Sequence, residues 1–266
     1  MAIKNYFNKP SVLQAAINAG KAITEVYEQE DYEMELKEDS SPLTIADKKS
    51  HHVLEESLSS NFDIPILSEE GQEIPFEERK KWGTYWLIDP LDGTKEFINR
   101  NGEFTVNVAL IKENIPVEGV IYVPVSKTLY FGSKDLGAFK VENCPDDVEQ
   151  IKEAEVIQLP QITSRDKFII VGSRSHMSEE TQNFVTQMKK EHTQVEMISK
   201  GSSLKLCMVA EGNADTYPRY APTMEWDTGA GDAICRAAGF KVLQYQTDKP
   251  LEYNKENLLN PWFLVC

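Results

Sequence analysis

The sequence predicts an α/β (α+β) fold in two lobes, residues 1–150 and residues 151–266. The chain has 266 residues, of which 41% are hydrophobic, so it can form one compact unit with a full core. From residue 104 to residue 141, short apolar runs alternate with turn residues, which indicates hairpin-connected strands in an antiparallel sheet. From residue 168 onward, strand and helix patterns alternate, which is typical of an α/β layer.

The first lobe is predicted to begin with helices. Ser11 can cap a helix whose apolar positions lie close to one face. A short strand at residues 34–36 and a polar loop at residues 37–42 precede a second helix that starts near Thr44. Residues 63–67 read as a buried strand.

Residues 86–94 read WLIDPLDGT, and this stretch is the centre of the functional prediction. The apolar run indicates a buried strand, which is predicted to end in a tight turn at Asp89 because Pro90 cannot donate a ladder hydrogen bond. Asp89 and Asp92 would then repel each other unless a cation lies between them. Oxygen ligands without histidine or cysteine favour magnesium. The alternative is a surface turn that binds nothing.

A second acidic stretch follows the strand at residues 63–67, at Ser68-Glu69-Glu70-Gly71. It can be a solvated loop. If its strand neighbours the one that ends at Asp89, however, both acidic stretches line one edge of a sheet. Glu69, Asp89 and Asp92 could then hold two magnesium ions about 3.5–4 Å apart.

Asp47 has two interpretations. Thr44 and Asp47 have the spacing of a capping box at the start of a helix, and the spacing alone favours that structural role. Asp47 could also act as a general base, or orient one, beside a hydroxyl group elsewhere in the fold.

The remaining elements follow in order. The first lobe has predicted strands at residues 104–111, 117–123, 129–132 and 137–141, and residues 142–161 are predicted to connect the lobes. In the second lobe, predicted strands at residues 168–171, 195–198, 214–217 and 240–243 alternate with predicted helices at residues 178–192, 202–211 and 227–238.

Two stretches of the second lobe could bind phosphate. Residues 172–176, GSRSH, follow a strand and could contact an anion or nucleotide, although a plain polar loop is an equal alternative. Residues 200–205, KGSSLK, open a helix, where free amides, the helix dipole and two lysines attract phosphate. Arg219 could add to this positive field or lie on the surface.

Asp227 lies at the start of the last predicted helix, within the sequence EWDTGAGD at residues 225–232. Its simplest role is that of an N-cap. If the helix start points at the acidic stretches, Asp227 adds a fourth carboxylate to them.

Charge and cysteine content limit the partners. Lys and Arg total 28 and Asp and Glu total 43, which gives a net charge of −15 and argues against nucleic acid or an anionic membrane as the partner. The four cysteines lack zinc-site spacing and are read as reduced thiols of a cytoplasmic protein. No segment approaches the roughly 18 apolar residues of a membrane span, while peripheral contact with the inner membrane stays open.

Taken in order, the acidic motifs resemble those of the inositol monophosphatase superfamily of magnesium-dependent, lithium-sensitive phosphatases. The resemblance rests on EE at residues 69–70, DPLDGT at 89–94 and WDTGAG at 226–231. Within the superfamily the sequence is most similar to the CysQ-type 3′(2′),5′-bisphosphate nucleotidases. That similarity rests on SEE at 68–70, DGTKEF at 92–97, GSRSH at 172–176, KGSSLK at 200–205 and PTMEWD at 222–227.

The resemblance implies a layered α/β/α/β/α sandwich and a site for two or three Mg²⁺ ions. The implied metal ligands are Glu69, Asp89, the Leu91 carbonyl, Asp92 and Asp227. Asp47 and Thr94 would activate the attacking water, and the amides of Gly93 and Thr94 would hold the scissile phosphate. The nucleotide and its second phosphate would contact His176, Ser202, Lys205 and Arg219.

The implied reaction is direct hydrolysis of adenosine 3′,5′-bisphosphate, a by-product of sulfate assimilation, to AMP and phosphate by a monomer or homodimer. Two alternatives stay open: a phosphatase of the same superfamily that acts on inositol monophosphate or a sugar bisphosphate, and a catalytically idle regulator that binds metal and phosphate. The family usually has alanine where this chain has Gly229, which is expected to loosen the helix start beside Asp227.

Overall fold

The computed structural model describes residues 2–29, 34–36, 42–161, 164–173 and 178–266. Most of the predicted loop at residues 37–42 lies outside these ranges. The helices are α1 (Pro10–Tyr27), α2 (Ile45–Asn61), α3 (Phe76–Arg79), α4 (Thr94–Ile98), α5 (Glu179–Glu191), α6 (Leu204–Glu211) and α7 (Glu225–Ala237), with short 3-10 helices at Ala2–Asn5, Val148–Gln150 and Glu153–Glu155.

The strands fall into a large set and several small ones. They are β1 (Met34–Leu36), β2 (Pro42–Thr44), β3 (Ile66–Ser68), β4 (Thr84–Asp92), β5 (Thr105–Lys112), β6 (Ile115–Val123), β7 (Thr128–Ser133), β8 (Gly137–Val141), β9 (Val156–Leu159), β10 (Phe168–Gly172), β11 (Val195–Ser199), β12 (Tyr217–Arg219), β13 (Val242–Gln244) and β14 (Phe263–Val265).

The largest sheet has seven strands in the order β3-β4-β5-β6-β7-β8-β9. Asp89 and Asp92 lie in its strand β4, and Glu69 directly follows β3. Strands β3 and β4 are parallel, and every later pair of neighbours is antiparallel, so the predicted antiparallel sheet is confirmed. Strand β9 lies in the stretch that was predicted to connect the lobes, and it extends this sheet beside β8. The division into lobes at residue 150 stays a prediction.

The smaller strands form a second layer. Strands β10 and β11 pair in parallel, and β12, β14 and β13 form an antiparallel sheet with β14 in the middle. A parallel bridge between Ile170 and Thr216 links the two groups. Strand β14 was not predicted.

Helices alternate with these sheets, and the layered α/β/α/β/α fold is confirmed. Helices α1 and α2 pack on one face of the seven-stranded sheet, α6 and α7 lie between its other face and the smaller strands, and α5 packs against β11 and β12. Because successive side chains of a strand point to opposite faces, β4 contributes Trp86 and Ile88 to the first core and Tyr85 and Leu87 to the second.

The start of α1 differs from the prediction. The helix begins at Pro10 after Lys9 and has no side-chain cap, so the prediction that Ser11 caps it is wrong. Proline suits the first helical position because its φ is already helical and its missing N–H has no partner there in any case.

Glycines allow α7 to lie very close to the seven-stranded sheet. A Cβ atom on Gly119 of β6 would lie 2.2 Å from the carbonyl oxygen of Ala230. A Cβ atom on Gly229 would lie 2.9 Å from Cδ2 of Leu87 and 3.2 Å from Cβ of Ala109. Gly229 therefore lets the first turns of α7 approach the two strands β4 and β5 directly.

Candidate active site

A β-bulge in β4 brings Asp89 and Asp92 to the same face of the sheet. Asp89 pairs with Asn107 of β5 and Asp92 pairs with Thr105, so the register shifts between the two aspartates. Residues three apart in a regular strand point to opposite faces, and one extra residue reverses this. Pro90 lies within this irregular part of the ladder, where its missing N–H is tolerated. The strand continues to Asp92, so the prediction that it ends at Asp89 is wrong.

Glu69 lies beside Asp89 because β3 runs parallel to β4. Ser68 pairs with Ile88, and the amide of Glu69 donates a hydrogen bond to the carbonyl of Ile88 at 3.2 Å. The ends of two parallel strands thus place both acidic stretches at one edge of the sheet, as predicted.

Asp227 reaches this edge from the first turn of α7. The N-cap of α7 is Met224, whose amide donates to Oδ2 of Asp227 at 2.9 Å. The prediction that Asp227 is itself the N-cap is therefore wrong, because a carboxylate three positions into a helix can satisfy the amide of the cap residue.

These segments form a cluster of carboxylate oxygens. One oxygen from each of Glu69, Asp89 and Asp227 lies within 4.8 Å of the other two. Oδ1 of Asp89 accepts a hydrogen bond from the amide of Leu91 at 3.1 Å, whereas Oδ2 is buried and has no hydrogen-bond partner among the described residues. A buried polar atom without a partner typically lowers the stability of the fold by about 1–3 kcal/mol. A cation bound to Oδ2 would remove this cost, so the position fits a cation. The oxygen-only donor set suits magnesium.

The electrostatics of the cluster also fit a cation. Burial raises the pKa of Asp89 well above its ordinary value, and the nearby charges of Glu69, Asp92, Asp227 and Asp47 act in the same direction. Burial, with repulsion from Asp92 and Glu69, raises the pKa of Asp227 to about 8. A divalent cation would favour the charged forms and reverse both shifts.

Asp47 makes both of the contacts that its two interpretations require. Its Oδ2 accepts hydrogen bonds from the amide and hydroxyl of Thr44 at 2.7 and 2.6 Å, which completes a capping box at the start of α2. Its Oδ1 accepts a hydrogen bond from Oγ1 of Thr94 at 3.2 Å. The same hydroxyl lies 3.4 Å from the carbonyl oxygen of Leu91, the group predicted to bind metal.

Gly93 turns the chain from β4 into α4 with φ of +94°. This conformation favours glycine. A Cβ atom here would also lie 3.1 Å from Cβ of Ser202 and 3.3 Å from the carbonyl oxygen of Glu103. Glycine thus lets the predicted phosphate-binding turn contact the loop that carries Ser202.

A cavity of about 150 Å³ adjoins the acidic cluster. Six predicted site residues line it, namely Asp92, Gly93, Ser202, Lys205, Arg219 and Asp227. Glu96, which the sequence analysis did not identify, lines it as well, and burial raises the pKa of its carboxyl group.

Lys205 is the buried cation of this cavity, with 7% of its surface exposed. Its Nζ donates to the carbonyl oxygens of Ser202 at 2.5 Å and Lys200 at 3.3 Å, and it lies 5.7 Å from the ring centroid of Tyr217. Burial lowers its pKa to about 8. An anion in the cavity would favour the protonated form of this amine.

Lys200 differs from Lys205, although the sequence analysis grouped the two lysines. Its Nζ lies 3.0 Å from Oε1 of Glu103, and Oε2 of Glu103 accepts the amide of Gly201 at 2.9 Å. Glu103 therefore balances the charge of Lys200. It also accepts the hydrogen bond of the Gly201 amide, one of the amides that were predicted to bind phosphate.

Arg219 lines the cavity with a buried Nε that has no hydrogen-bond partner among the described residues. Its Nη2 donates to the carbonyl oxygen of Pro222 at 2.8 Å. An unpaired buried donor suits an anion. His176 lies outside the described residues.

A chain of polar side chains, which the sequence analysis missed, links Ser202 to Asp92. Oγ1 of Thr105 lies 2.7 Å from the hydroxyl oxygens of both Ser202 and Ser203. Ser203 donates to Oδ1 of Asn107 at 2.8 Å, and Nδ2 of Asn107 lies 3.5 Å from Oδ2 of Asp92. Thr105 and Asn107 could have indicated this chain from the sequence, because they are polar residues at alternate positions of β5, which is otherwise mostly apolar.

Comparison with known proteins gives consistent matches over almost the whole chain. The model of the inositol monophosphatase family matches residues 9–261. The 3′(2′),5′-bisphosphate nucleotidase CysQ of Salmonella typhimurium is 45% identical over 257 residues, which cover 96% of this chain and 97% of that protein. The enzyme of the same name from Escherichia coli strain K12 is 43% identical with the same coverage.

A solved structure agrees with these sequence matches. The crystal structure of CysQ from Bacteroides thetaiotaomicron, described as a bacterial member of the inositol monophosphatase family, has a TM-score of 0.88 and 49% sequence identity to this chain. The match covers 98% of this chain and 97% of that chain.

Proposed function

Because the chain belongs to the inositol monophosphatase family, we propose that it is a magnesium-dependent phosphatase that acts as a 3′(2′),5′-bisphosphate nucleotidase. Its substrate is adenosine 3′,5′-bisphosphate, and its products are AMP and phosphate. The unpaired buried oxygen of Asp89, within an acidic cluster beside a cavity that holds Lys205 and Arg219, carries the proposal. The cluster serves the phosphate that is cleaved, and the two cations serve the phosphate that stays.

The metal ligands of the proposal are Glu69, Asp89, the Leu91 carbonyl, Asp92 and Asp227, which would hold two or three magnesium ions. Bound magnesium supplies neutralising charge to the transferred phosphoryl group and lowers the pKa of bound water. The chain itself fixes the ligands: the β4 bulge orients Asp89 and Asp92, and the capping bond to Met224 orients Asp227.

Asp47 and Thr94 are the proton acceptors of the proposal. The hydroxyl of Thr94 donates its hydrogen to Asp47, which leaves the lone pairs of Oγ1 to accept a proton from water. The buried carboxylate then takes up the proton through the hydroxyl. Water attacks phosphorus directly and in line, so no serine or cysteine nucleophile and no covalent intermediate are needed.

Substrate specificity comes from the cavity wall. Lys205 and Arg219 contact the 5′-phosphate in this proposal, because both are cations of the cavity that adjoins the acidic cluster. Lys95 also lines this cavity. Ser202 lines the same cavity beside Gly93, where it can contact the sugar-phosphate backbone. His176 belongs to the proposal from the sequence motif alone.

The test of the proposal is phosphate release from adenosine 3′,5′-bisphosphate, inositol 1-phosphate and fructose 1,6-bisphosphate, each with magnesium and with chelator. We expect kcat/KM to favour the nucleotide about a hundredfold, roughly 2.7 kcal/mol of transition-state discrimination. A preference for inositol 1-phosphate would keep the fold and metal site but reject the role of the cavity cations. Magnesium binding without hydrolysis of any substrate would indicate a regulator.

Lys205→Met is expected to raise KM for adenosine 3′,5′-bisphosphate by about tenfold or more, because a charge-assisted contact to phosphate is worth roughly 1.5–3 kcal/mol. The KM for adenosine 3′-monophosphate, which lacks the second phosphate, should change little. Steady-state kinetics with both substrates measure this difference.

Lys200→Met is the matched control, since Glu103 already balances that lysine. It should change the two KM values by less than the Lys205 variant does. Equal effects of Lys205→Met on both substrates would place the 5′-phosphate elsewhere.

Among the described residues, no helix has the length and apolarity needed to cross a membrane. Cys144, Cys207 and Cys235 are buried, and their reduced state stays a prediction. We place the enzyme in the cytoplasm. Peripheral contact with the inner membrane gains no support from the described residues, and the choice between monomer and homodimer stays a prediction.

A further inference from the structure

Glu69 and Asp227 come from distant parts of the sequence, yet their carboxylates must approach within metal-binding distance. A buried polar network behind them joins the two segments. We propose that Arg79, Asn254 and Glu225, which we call the positioning network, hold these two ligands in register for the metal. The inference rests on the proposed magnesium site and assigns residues that do not themselves contact metal or substrate.

Glu225 fixes the start of α7. It is the first residue of the helix, two positions before Asp227, and its side chain is fully buried. Oε2 accepts a hydrogen bond from the amide of Asn254 at 2.6 Å. Oε1 accepts hydrogen bonds from the amide and from Nζ of Lys255 at 3.0 and 2.5 Å. Both carboxylate oxygens are thereby bound to one segment near the C-terminus.

Further contacts of the same segment surround the helix start. The amide of Glu225 donates to the carbonyl of Leu258 at 2.9 Å. Nδ2 of Asn260 donates to the carbonyl of Met224 at 2.7 Å and to the hydroxyl of Thr228 at 3.0 Å. The position of Asp227 is thus determined by residues 254–260.

Asn254 connects this segment to Arg79. It has φ of +63° and is 6% exposed. Its Nδ2 donates to the carbonyl of Arg79 at 2.7 Å, and its Oδ1 accepts from Nη1 of Arg79 at 3.0 Å. A residue other than glycine keeps such a backbone conformation only where its surroundings fix it, and these two bonds with the one to Glu225 do so.

Arg79 extends the network to the loop that follows Glu69. The residue is buried, with 4% of its surface exposed, and its Nε donates a hydrogen bond to the carbonyl of Ile74 at 3.0 Å. Nη1 and Nη2 donate to the carbonyls of Lys255 and Glu256 at 3.1 and 3.3 Å. The single planar guanidinium of Arg79 therefore bonds both to the loop that follows Glu69 and to residues 254–260, which bind the start of the helix that carries Asp227.

The charges at the site explain why such a network is needed. The clustered carboxylates repel one another, and this repulsion acts to separate the end of β3 from the start of α7 whenever metal is absent. Hydrogen bonds behind the ligands oppose the separation, so less reorganisation is needed when metal binds. Residues that orient ligands from behind typically change metal affinity by 10–100-fold when they are substituted.

The test compares two network variants with a matched control. Arg79→Lys keeps the charge but loses the planar set of donors, and Asn254→Gly keeps the backbone conformation and the bond to Glu225 while it removes both bonds to Arg79. Arg236→Lys is the control. Arg236 is a partly buried arginine that likewise ties α7 to the C-terminal segment, with bonds to Asp232 at 2.6 and 2.9 Å and to the carbonyl of Leu251 at 3.1 Å.

The control arginine lies nine residues, about 13 Å of helix, from Asp227. Magnesium binding to each purified protein is measured by titration calorimetry, and unfolding is followed in chelator and in saturating magnesium. We expect Kd for magnesium to rise about tenfold or more in Arg79→Lys and Asn254→Gly, and less than twofold in Arg236→Lys, even where all three lower Tm in chelator. At saturating magnesium, kcat of the two network variants should stay within about threefold of wild type.

Three results would overturn the inference. Network variants with a lower Tm but an unchanged Kd would show that the network is structural only. An equal loss of affinity in Arg236→Lys would point to general loosening of α7. A wild-type protein that binds no magnesium would reject the proposed function itself, and that result is separable from the others because it precedes any variant.

Discussion

Asp89→Asn is expected to abolish magnesium-dependent phosphate release, with a fall in kcat/KM on the order of a thousandfold or more. The new amide can keep the hydrogen bond from the amide of Leu91, because one oxygen remains. It removes, however, the negative charge at the buried oxygen that has no other partner among the described residues. Steady-state phosphate release across a range of magnesium concentrations measures the loss.

In metal-free protein, the same substitution is expected to raise Tm. The folded-state pKa of Asp89 is raised by burial and by the surrounding carboxylates, so its charged form destabilises the fold. The stability linked to this group is fully present below the ordinary pKa of about 4 and is lost as pH rises toward the folded-state value. Asp227, with a pKa of about 8, acts in the same direction. The metal-free wild type should therefore become less stable from pH about 4 to pH 8, and Asp89→Asn should reduce that loss.

Asp135→Asn provides the control for this stability prediction, because Asp135 is exposed and its substitution removes one negative charge outside the site. Thermal unfolding in chelator and in magnesium compares the three proteins. Magnesium should raise Tm of the wild type and of Asp135→Asn, and should have little effect on Asp89→Asn. A variant of Asp89 with near-normal activity, or with a full magnesium-dependent rise in Tm, would remove Asp89 from the metal site.

Where a short motif determines the local structure around the candidate site, the sequence predicted that structure well. An apolar run followed by two aspartates and a glycine predicts a buried strand and a turn, and the structure has the strand, with the turn at Gly93 instead of at Asp89. The two strand ends allowed the possibility that the strand before Glu69 neighbours the strand of Asp89, and the structure pairs β3 with β4 in parallel. The dual use of Asp47 could not be decided from spacing, because a capping box needs only one of the two carboxylate oxygens and says nothing about the other.

The prediction that Ser11 caps α1 failed for a local reason, because the helix begins at Pro10, whereas the other features that the sequence did not reveal depend on contacts between distant segments. The face to which Asp92 points depends on one extra residue relative to β5, and that offset is set by pairing with Asn107 and Thr105. The start of α7 lies at Glu225 because residues 254–260 bind it, which no local helix signal reports. Strands β9 and β14 are short, and their pairing with β8, β12 and β13 defines them more than their composition does.

Thr94→Val is expected to lower kcat by roughly 10²–10⁴-fold, the usual contribution of a positioned proton acceptor, while magnesium affinity changes little. Valine has nearly the shape of threonine but no hydroxyl, so the route from water to Oδ1 of Asp47 is interrupted. The measurement pairs single-turnover hydrolysis with calorimetric titration of magnesium. A normal kcat would exclude Thr94 from proton transfer, and a large loss of metal affinity would make its role structural.

Thr94→Ser is the matched control, since it keeps the hydroxyl and should keep most of the activity. Thr94 is a cleaner position for this test than Asp47, whose Oδ2 also caps α2 through Thr44. A substitution such as Asp47→Ala also removes the two bonds from Thr44, the N-cap of α2, and weakening a helix cap typically costs about 1 kcal/mol of stability.

The double variant Thr94→Val with Asp47→Asn tests whether the two side chains act as one unit. If the hydroxyl passes its proton to Oδ1, loss of either group breaks the same path, so the double variant should be hardly slower than the slower single variant. If the two groups act separately, their effects on kcat should multiply. The 3.2 Å bond between Thr94 and Asp47 supports the first outcome, because a hydroxyl that donates to a buried carboxylate has its lone pairs directed away from it, toward the water that must be deprotonated.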